Sequence, residues 1–170
     1  MRLFFAIELD ERLRSALTAA QRQLYDLGIR GNATRPENLH LTLAFIGEYP
    51  DPDAVLEAAC GLSFPAFPLS LGGLGTFDGV LWAGIEENPA LAQLARQLRH
   101  ALAEAQIPYD KKRFSPHLTL IRKPEGLSPE KLRIVRVPAA EMVVREISLM
   151  RSTRGKNGMI YTRLGGVPAN

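Results

Sequence analysis

The chain has 170 residues, enough for one well-buried domain and few for two of ordinary size. Apolar residues make up 46% and charged residues 23%, near the soluble globular average, which excludes disordered and fibrous classes. A formal charge of +3 points only weakly to an anionic partner, and a single cysteine, Cys60, excludes an internal disulfide or a Cys-x-x-Cys metal pattern.

The first element is "RLFFAIEL", residues 2 to 9. Leu3, Phe5, Ile7 and Leu9 alternate with Arg2, Phe4, Ala6 and Glu8, the period of a strand with one face on a core. Asp10 then caps a helix whose apolar positions Leu13, Leu17, Ala20, Leu24 and Leu27 recur at helical spacing until Gly28. "HLTLAFIG" is the next strand, closed by Gly47. Asp51, Pro52 and Gly61 cap, open and end a short helix. "FPLSLGG" and "GVLWAGIE" read as strands about a turn at Asp78-Gly79. The strongest helix comes next, capped by Asn88, with Leu91, Leu94, Ala95, Leu98 and Leu102 as its buried stripe and Pro108 beyond its end. After the basic loop "YDKKRFSP" come the strand "HLTLIRK", a turn or short helix at "LSPEKL", one strand in "EMVVREISLMRS", the basic turn "TRGKNG" and the strand "MIYTRL".

Two of the chain's three histidines stand in the same tetrapeptide, His-Leu-Thr-Leu, and lie 117 − 40 = 77 residues apart. Each comes after a strand, a helix and a proline-bearing loop. The pattern predicts a duplicated half-domain, two interlocked lobes in one domain over residues 1 to 170, related by a pseudo-two-fold.

In a strand, residues i and i+2 share a face. His40 and Thr42 therefore point one way and Leu41, Leu43 and Phe45 the other, and His117 and Thr119 oppose Leu118 and Leu120 in the same manner. With the leucines on the core, a pseudo-two-fold sets the two polar pairs across one cleft. Imidazole titrates near neutral pH, so one ring can take a proton from an attacking oxygen while the other gives one to a leaving oxygen. Threonine hydroxyls donate to oxygens held between them. This suits in-line displacement at phosphorus without a metal.

Other chemistries lack parts. No Cys or carboxylate stands at metal-ligand spacing, no Gly-rich loop ends in Lys-Ser or Lys-Thr, and no G-x-S-x-G elbow is present. His100 lies off the apolar stripe of its helix and reads as a surface residue. No metal and no cofactor are expected. Lys111, Lys112, Arg113, Arg122 and Lys123 bracket the second motif, and Arg151, Arg154 and Lys156 cluster near the C-terminus. No apolar run approaches the roughly 18 residues of a membrane span. The N-terminus lacks the long apolar stretch of a secretory signal, so a cytoplasmic protein without membrane association is expected. Nothing in the pattern demands an assembly, and a monomer is expected. From another class, a non-catalytic nucleotide- or RNA-binding module would keep the same fold, although a pure binder has no need of two proton-transfer groups.

The paired motifs, with "RLFFAIEL", "NLHLTLAFIGE", "FSPHLTLIRK" and "MIYTRL", resemble the 2H phosphoesterase superfamily, and within it the RNA 2′,3′-cyclic phosphodiesterases, also called 2′-5′ RNA ligases. The resemblance implies an α+β fold of two antiparallel sheets with outer helices and a cleft between them. It implies metal-independent hydrolysis of an RNA-terminal 2′,3′-cyclic phosphate to a 2′-phosphate, with reversible ligation of 2′,5′ linkages as a secondary activity. His40 would protonate the 3′-oxygen, His117 would activate the water, and Thr42 and Thr119 would bind phosphate. Arg122 occupies the place where similar proteins carry an arginine near the phosphate or base. Strict alternation puts Arg122 on the leucine face, so a twist at the strand end must redirect it. Phe4, with Ala6, floors the cleft and stacks a base, with core packing as the alternative. Tyr161, Arg113 and Arg35 are expected at the rim.

Overall fold

The structure is a computed structural model that describes every residue from Met1 to Asn170. Nine strands form: β1 (Arg2–Glu8), β2 (Arg30–Ala33), β3 (His40–Glu48), β4 (Phe67–Phe77), β5 (Val80–Ile85), β6 (His117–Glu125), β7 (Glu141–Val144), β8 (Glu146–Gly155) and β9 (Gly158–Pro168). They make two antiparallel sheets, ordered β3-β1-β8-β9 and β2-β6-β5-β4-β7. The helices are α1 (Glu11–Asp26), α2 (Pro52–Ala59), α3 (Pro89–Glu104) and α4 (Pro129–Ile134). None is long and apolar enough to cross a membrane.

The helices begin where the sequence places their caps. Side-chain oxygens of Asp10, Asp51 and Asn88 accept from the backbone N–H groups of Leu13, Ala54 and Leu91 at 3.0, 3.2 and 3.0 Å. Each such cap contributes about 1 kcal/mol. The predicted stripes of α1 and α3 are buried, and Gly28 ends the first helix at φ +87°, a conformation that costs a glycine little. The turn between β4 and β5 is at Asp78-Gly79, both at positive φ.

The repeat is visible as topology. In each half a strand leads into a sixteen-residue helix and then into the motif strand that pairs back to it, β1-α1-β3 and β5-α3-β6. The registers match: His40 and Thr42 face Glu8 and Ala6, while His117 and Thr119 face Gly84 and Trp82.

The halves are interlocked. α1 packs against β6 and β7 of the five-stranded sheet, and α3 packs against β3 of the other. Gln21 on α1 donates from Nε2 to the carbonyls of Thr34 and Leu120, at 2.9 and 3.0 Å. The N–H of Asp110 donates to the Phe45 carbonyl at 2.8 Å. One continuous cluster of 36 buried residues runs through both sheets and the helices.

Two expectations need correction. Residues 141 to 152 form two strands, broken at Arg145, because Val144 pairs with Phe67 at the edge of one sheet whereas β8 lies between β1 and β9 in the other. Strand β2 was not expected, and neither was the 3-10 turn Pro36–Asn38 after it. All four residues of β2 are exposed, so no alternation of burial marks it.

Gly31 lets β2 approach β6: a Cβ there would lie 2.8 and 2.9 Å from the carbonyl oxygens of Arg122 and Lys123. Gly31→Ala should therefore destabilise the fold by about 1–3 kcal/mol, the usual cost of overpacking. Urea unfolding measures it, and an unchanged midpoint would contradict this packing.

Candidate active site

Both motif strands depart from strict alternation at the same place. In β3, Thr42 pairs with Ala6 and Ala44 with the adjacent Phe5, so Leu43 is an extra residue. In β6, Thr119 pairs with Trp82 and Ile121 with the adjacent Leu81, so Leu120 is extra. Each is a β-bulge, one residue more than the partner strand provides. Consecutive side chains, Leu43 with Ala44 and Leu120 with Ile121, are accordingly buried together.

The bulge reverses the phase of the residues beyond it. Phe45 pairs with Phe4 and lines the cleft, so its expected place on the leucine face is wrong. Arg122, five residues after His117 as Phe45 is after His40, is turned to the cleft by the same device. An extra residue does what a strand-end twist was expected to do.

Each histidine is anchored alike. His40 Nδ1 donates to the carbonyl of Asn38 at 2.7 Å, and His117 Nδ1 donates to that of Ser115 at 2.8 Å. A carbonyl only accepts, so Nδ1 carries the proton in both rings and Nε2 is left to exchange protons. The Thr42 hydroxyl lies 3.0 Å from His40 Nε2. Thr119 pairs across β5 with Trp82, is half-buried and lies two residues beyond His117 on the same strand.

Aromatic rings fix both imidazoles. Phe4 and Tyr161 lie 5.0 and 5.1 Å from His40, centroid to centroid, and Phe77 and Trp82 lie 4.8 and 6.4 Å from His117. Phe4 is 4% exposed and packs with Ala6, Met150, Phe45 and Tyr161 in a small cluster apart from the main core. It lines the cavity beside His40, but with its ring almost wholly covered it packs as core, the alternative reading. The expected stacking role is therefore replaced by support of His40.

Burial holds His40 below 6.5, the ordinary imidazole value. The hydrogen bond to Asn38 opposes this, while the charges of Arg122 and His117 push in the same direction as burial. His117 and Arg122 are thus near enough to act on His40. A cavity of about 640 Å³ opens beside His40, with Arg2, Arg122, Arg154 and Tyr161 in its wall. A second, of about 470 Å³, opens beside His117, with Arg113 in its wall. Thr42 and Phe45 line both.

Of the expected rim residues, Tyr161 and Arg113 meet the cleft. Arg35 does not: it donates to the Met159 carbonyl at 2.8 Å and lies 3.6 Å from Glu37. His100 is at the surface, 3.7 Å from Glu104. No three His, Cys, Asp or Glu side chains gather as a metal-binding group. Sequence reasoning missed Phe77, Trp82, Arg2 and Arg154. For Trp82 a signal exists, since in "VLWAGI" it alternates with the buried Leu81 and Ala83.

In the free protein the titration midpoint of His40 should lie below 6.5. Arg122→Ala, which removes one positive charge acting on the ring, should raise it, because the imidazolium is then less opposed. Imidazole NMR shifts against pH read both. A wild-type midpoint at or above 6.5, or a downward move in the variant, would contradict the site's electrostatics.

Known proteins resemble this chain in sequence and in overall fold. The sequence is 33% identical to an RNA 2′,3′-cyclic phosphodiesterase of Archaeoglobus fulgidus, over 96% of this chain and 98% of the relative. A protein of the same name from Escherichia coli is 35% identical over 71% of each chain. The crystal structure of E. coli LigT complexed with 3′-AMP superposes with a TM-score of 0.81 and 29% identity, covering 99% of this chain and 96% of that one. The profile of the 2′-5′ RNA ligase superfamily matches residues 6–156, and the chain belongs to that superfamily.

Proposed function

We propose that the chain hydrolyses the 2′,3′-cyclic phosphate at an RNA end to a 2′-phosphomonoester without a metal ion, with His40 as general acid and His117 as general base. The observation that carries the reading is the pair of imidazoles in one cleft, each with Nδ1 held by a backbone carbonyl and Nε2 left for proton transfer, that of His40 beside the Thr42 hydroxyl. Relatives named RNA 2′,3′-cyclic phosphodiesterase supply the substrate class.

The proton inventory closes. Water attacks phosphorus as His117 Nε2 takes its proton, the P–O3′ bond breaks, and His40 Nε2 gives its proton to O3′. Thr42, Thr119 and Arg122 hold the non-bridging oxygens, where charge builds in the transition state. Because burial lowers the pKa of His40, its imidazolium is a stronger acid than an ordinary one. The bound phosphate's negative charge favours that charged form. Acid and base come from one chain, which supports a monomer, and the lone exposed Cys60 fits a reducing cytoplasm.

The decisive assay incubates the protein, with excess chelator, with an oligoribonucleotide ending in 2′,3′-cyclic phosphate and identifies the product. A 2′-phosphate is expected; no turnover, or turnover that needs added metal, refutes the reading. His40→Ala and His117→Ala should each cost at least about 10² in rate, the scale of a lost acid or base. An undiminished variant removes that residue from its role. The log of kcat/KM should trace a bell against pH, because the reaction needs one imidazole protonated and the other neutral. A monotonic profile from about pH 5 to 9 would separate the histidines from the proton transfers.

A further inference from the structure

In-line displacement puts the attacking and leaving oxygens on opposite sides of phosphorus. With His40 as the acid, O3′ leaves on the side of His40, and it stays attached to the terminal ribose. The ribose and the RNA chain 5′ to it therefore extend on that side, while the side of His117 needs room only for a water. The cavity beside His40 has about 640 Å³, the size of a site that holds a ligand larger than one phosphate.

Three exposed arginines, Arg2, Arg122 and Arg154, line it. None of them is in an ion pair, although Arg14, Arg35, Arg133 and Arg163 each are. The one carboxylate in the wall, Glu48, lies 3.2 Å from the N-terminal ammonium. Arg122 has its place at the reacting phosphate, which leaves Arg2 and Arg154, and the register makes these two neighbours. Arg2 pairs with Ser152 of β8, so Arg154, two residues on, shares its face and is its diagonal neighbour, about 7–8 Å away. The Arg2 guanidinium is held at the cavity wall, 4.9 Å from the centroid of the Phe45 ring. Along β1, Arg2 stands two residues, about 7 Å, from Phe4, whose ring is 5.0 Å from that of His40. Two like charges thus share one space a short way from the acid, with no carboxylate paired to either. A phosphate between them replaces repulsion by charge-assisted hydrogen bonds, which arginine makes in bidentate form.

Resting on the acid assigned above, we infer that Arg2 and Arg154 form a subsite for the internucleotide phosphate on the 5′ side of the terminal nucleoside. The subsite lets the protein distinguish an RNA end from a free nucleotide: the RNA end offers that phosphate, and a lone nucleoside 2′,3′-cyclic phosphate does not. The cavity beside His117 is the competing place for the chain, because Lys112 and Arg113 line it. Two carboxylates, Asp78 and Asp110, share that wall, and the chain enters there only if the two histidines exchange roles.

The test compares two dinucleotides that each end in a 2′,3′-cyclic phosphate and begin with a 2′-deoxynucleoside. One has an ordinary internucleotide phosphate and the other an uncharged methylphosphonate in its place. The wild type should favour the charged substrate about tenfold in kcat/KM, the scale of a charge-assisted hydrogen bond. Arg2→Ala and Arg154→Ala should each lower that preference about threefold, an equal share of the same factor, and the double variant should bring it to about one. Arg113→Ala should keep the preference. Because the preference is a ratio within each variant, a loss of folded protein does not move it. Equal kcat/KM for the two substrates in the wild type, or a preference that survives in the double variant, would overturn the subsite and leave hydrolysis standing. A preference lost in Arg113→Ala instead puts the chain beside His117, which overturns the subsite and reverses the acid and base. A wild-type protein that hydrolyses neither substrate overturns the hydrolase reading as well.

Discussion

The site depends on one extra residue in each motif strand. A regular strand would place every second side chain on the cleft, and the fifth residue after each histidine would then point into the core. The bulges at Leu43-Ala44 and Leu120-Ile121 bury two neighbours in succession and return Phe45 and Arg122 to the face of the histidines. For Arg122 the gain is chemical, because a guanidinium facing the leucine core would have no compensating partner and a large desolvation cost. For Phe45 the gain is a shared wall between the two cavities.

The two halves repeat a register and then part company in their side chains. Opposite Thr42 stands Ala6, whose neighbour on β8 is Ser148; opposite Thr119 stands Trp82, whose neighbour on β4 is Gly75. The indole lies directly over Gly75, where any Cβ would collide with it. His117 thus has a bulky ring from its own sheet at its side. The space over Ala6 is closed instead by Phe4 and by Tyr161 from β9. A duplicated backbone has come to carry two different linings, as a reaction with unlike attacking and leaving groups requires.

What the sequence made legible was what local chemistry determines. Caps at Asp10, Asp51 and Asn88, the stripes of α1 and α3, the turn at Asp78-Gly79 and the facing of His40 with Thr42 all come from neighbours within a few residues. The features it hid depend on distant partners. Nothing within "LTLAF" or "LTLIR" says which residue goes unpaired, since that is decided by β1 and β5. The break at Arg145 was hidden likewise, because "EMVVREISLMRS" keeps its strand-forming character through the point where it changes sheets. The clue that the sequence does hold is the apolar doublet after each threonine, Leu-Ala and Leu-Ile, where alternation calls for one apolar residue.

The orientation of His40 is also not a property of its own strand. The Asn38 carbonyl that accepts from its Nδ1 belongs to the 3-10 turn before β3. That turn is tied to the other end of the sheet, since the Asn38 amide and the Arg35 guanidinium both donate to the Met159 carbonyl, at 2.9 and 2.8 Å. Met159 lies at the start of β9, which also brings Tyr161 against the ring. One hairpin therefore sets both the hydrogen bond that fixes the tautomer and the aromatic edge that limits the ring's tilt. His117 has its Ser115 carbonyl in the loop that Arg99 of α3 clamps at Lys112. Each imidazole is thus held by contacts made far from its own motif, which is why two copies of one tetrapeptide come together as one cleft only in the folded chain.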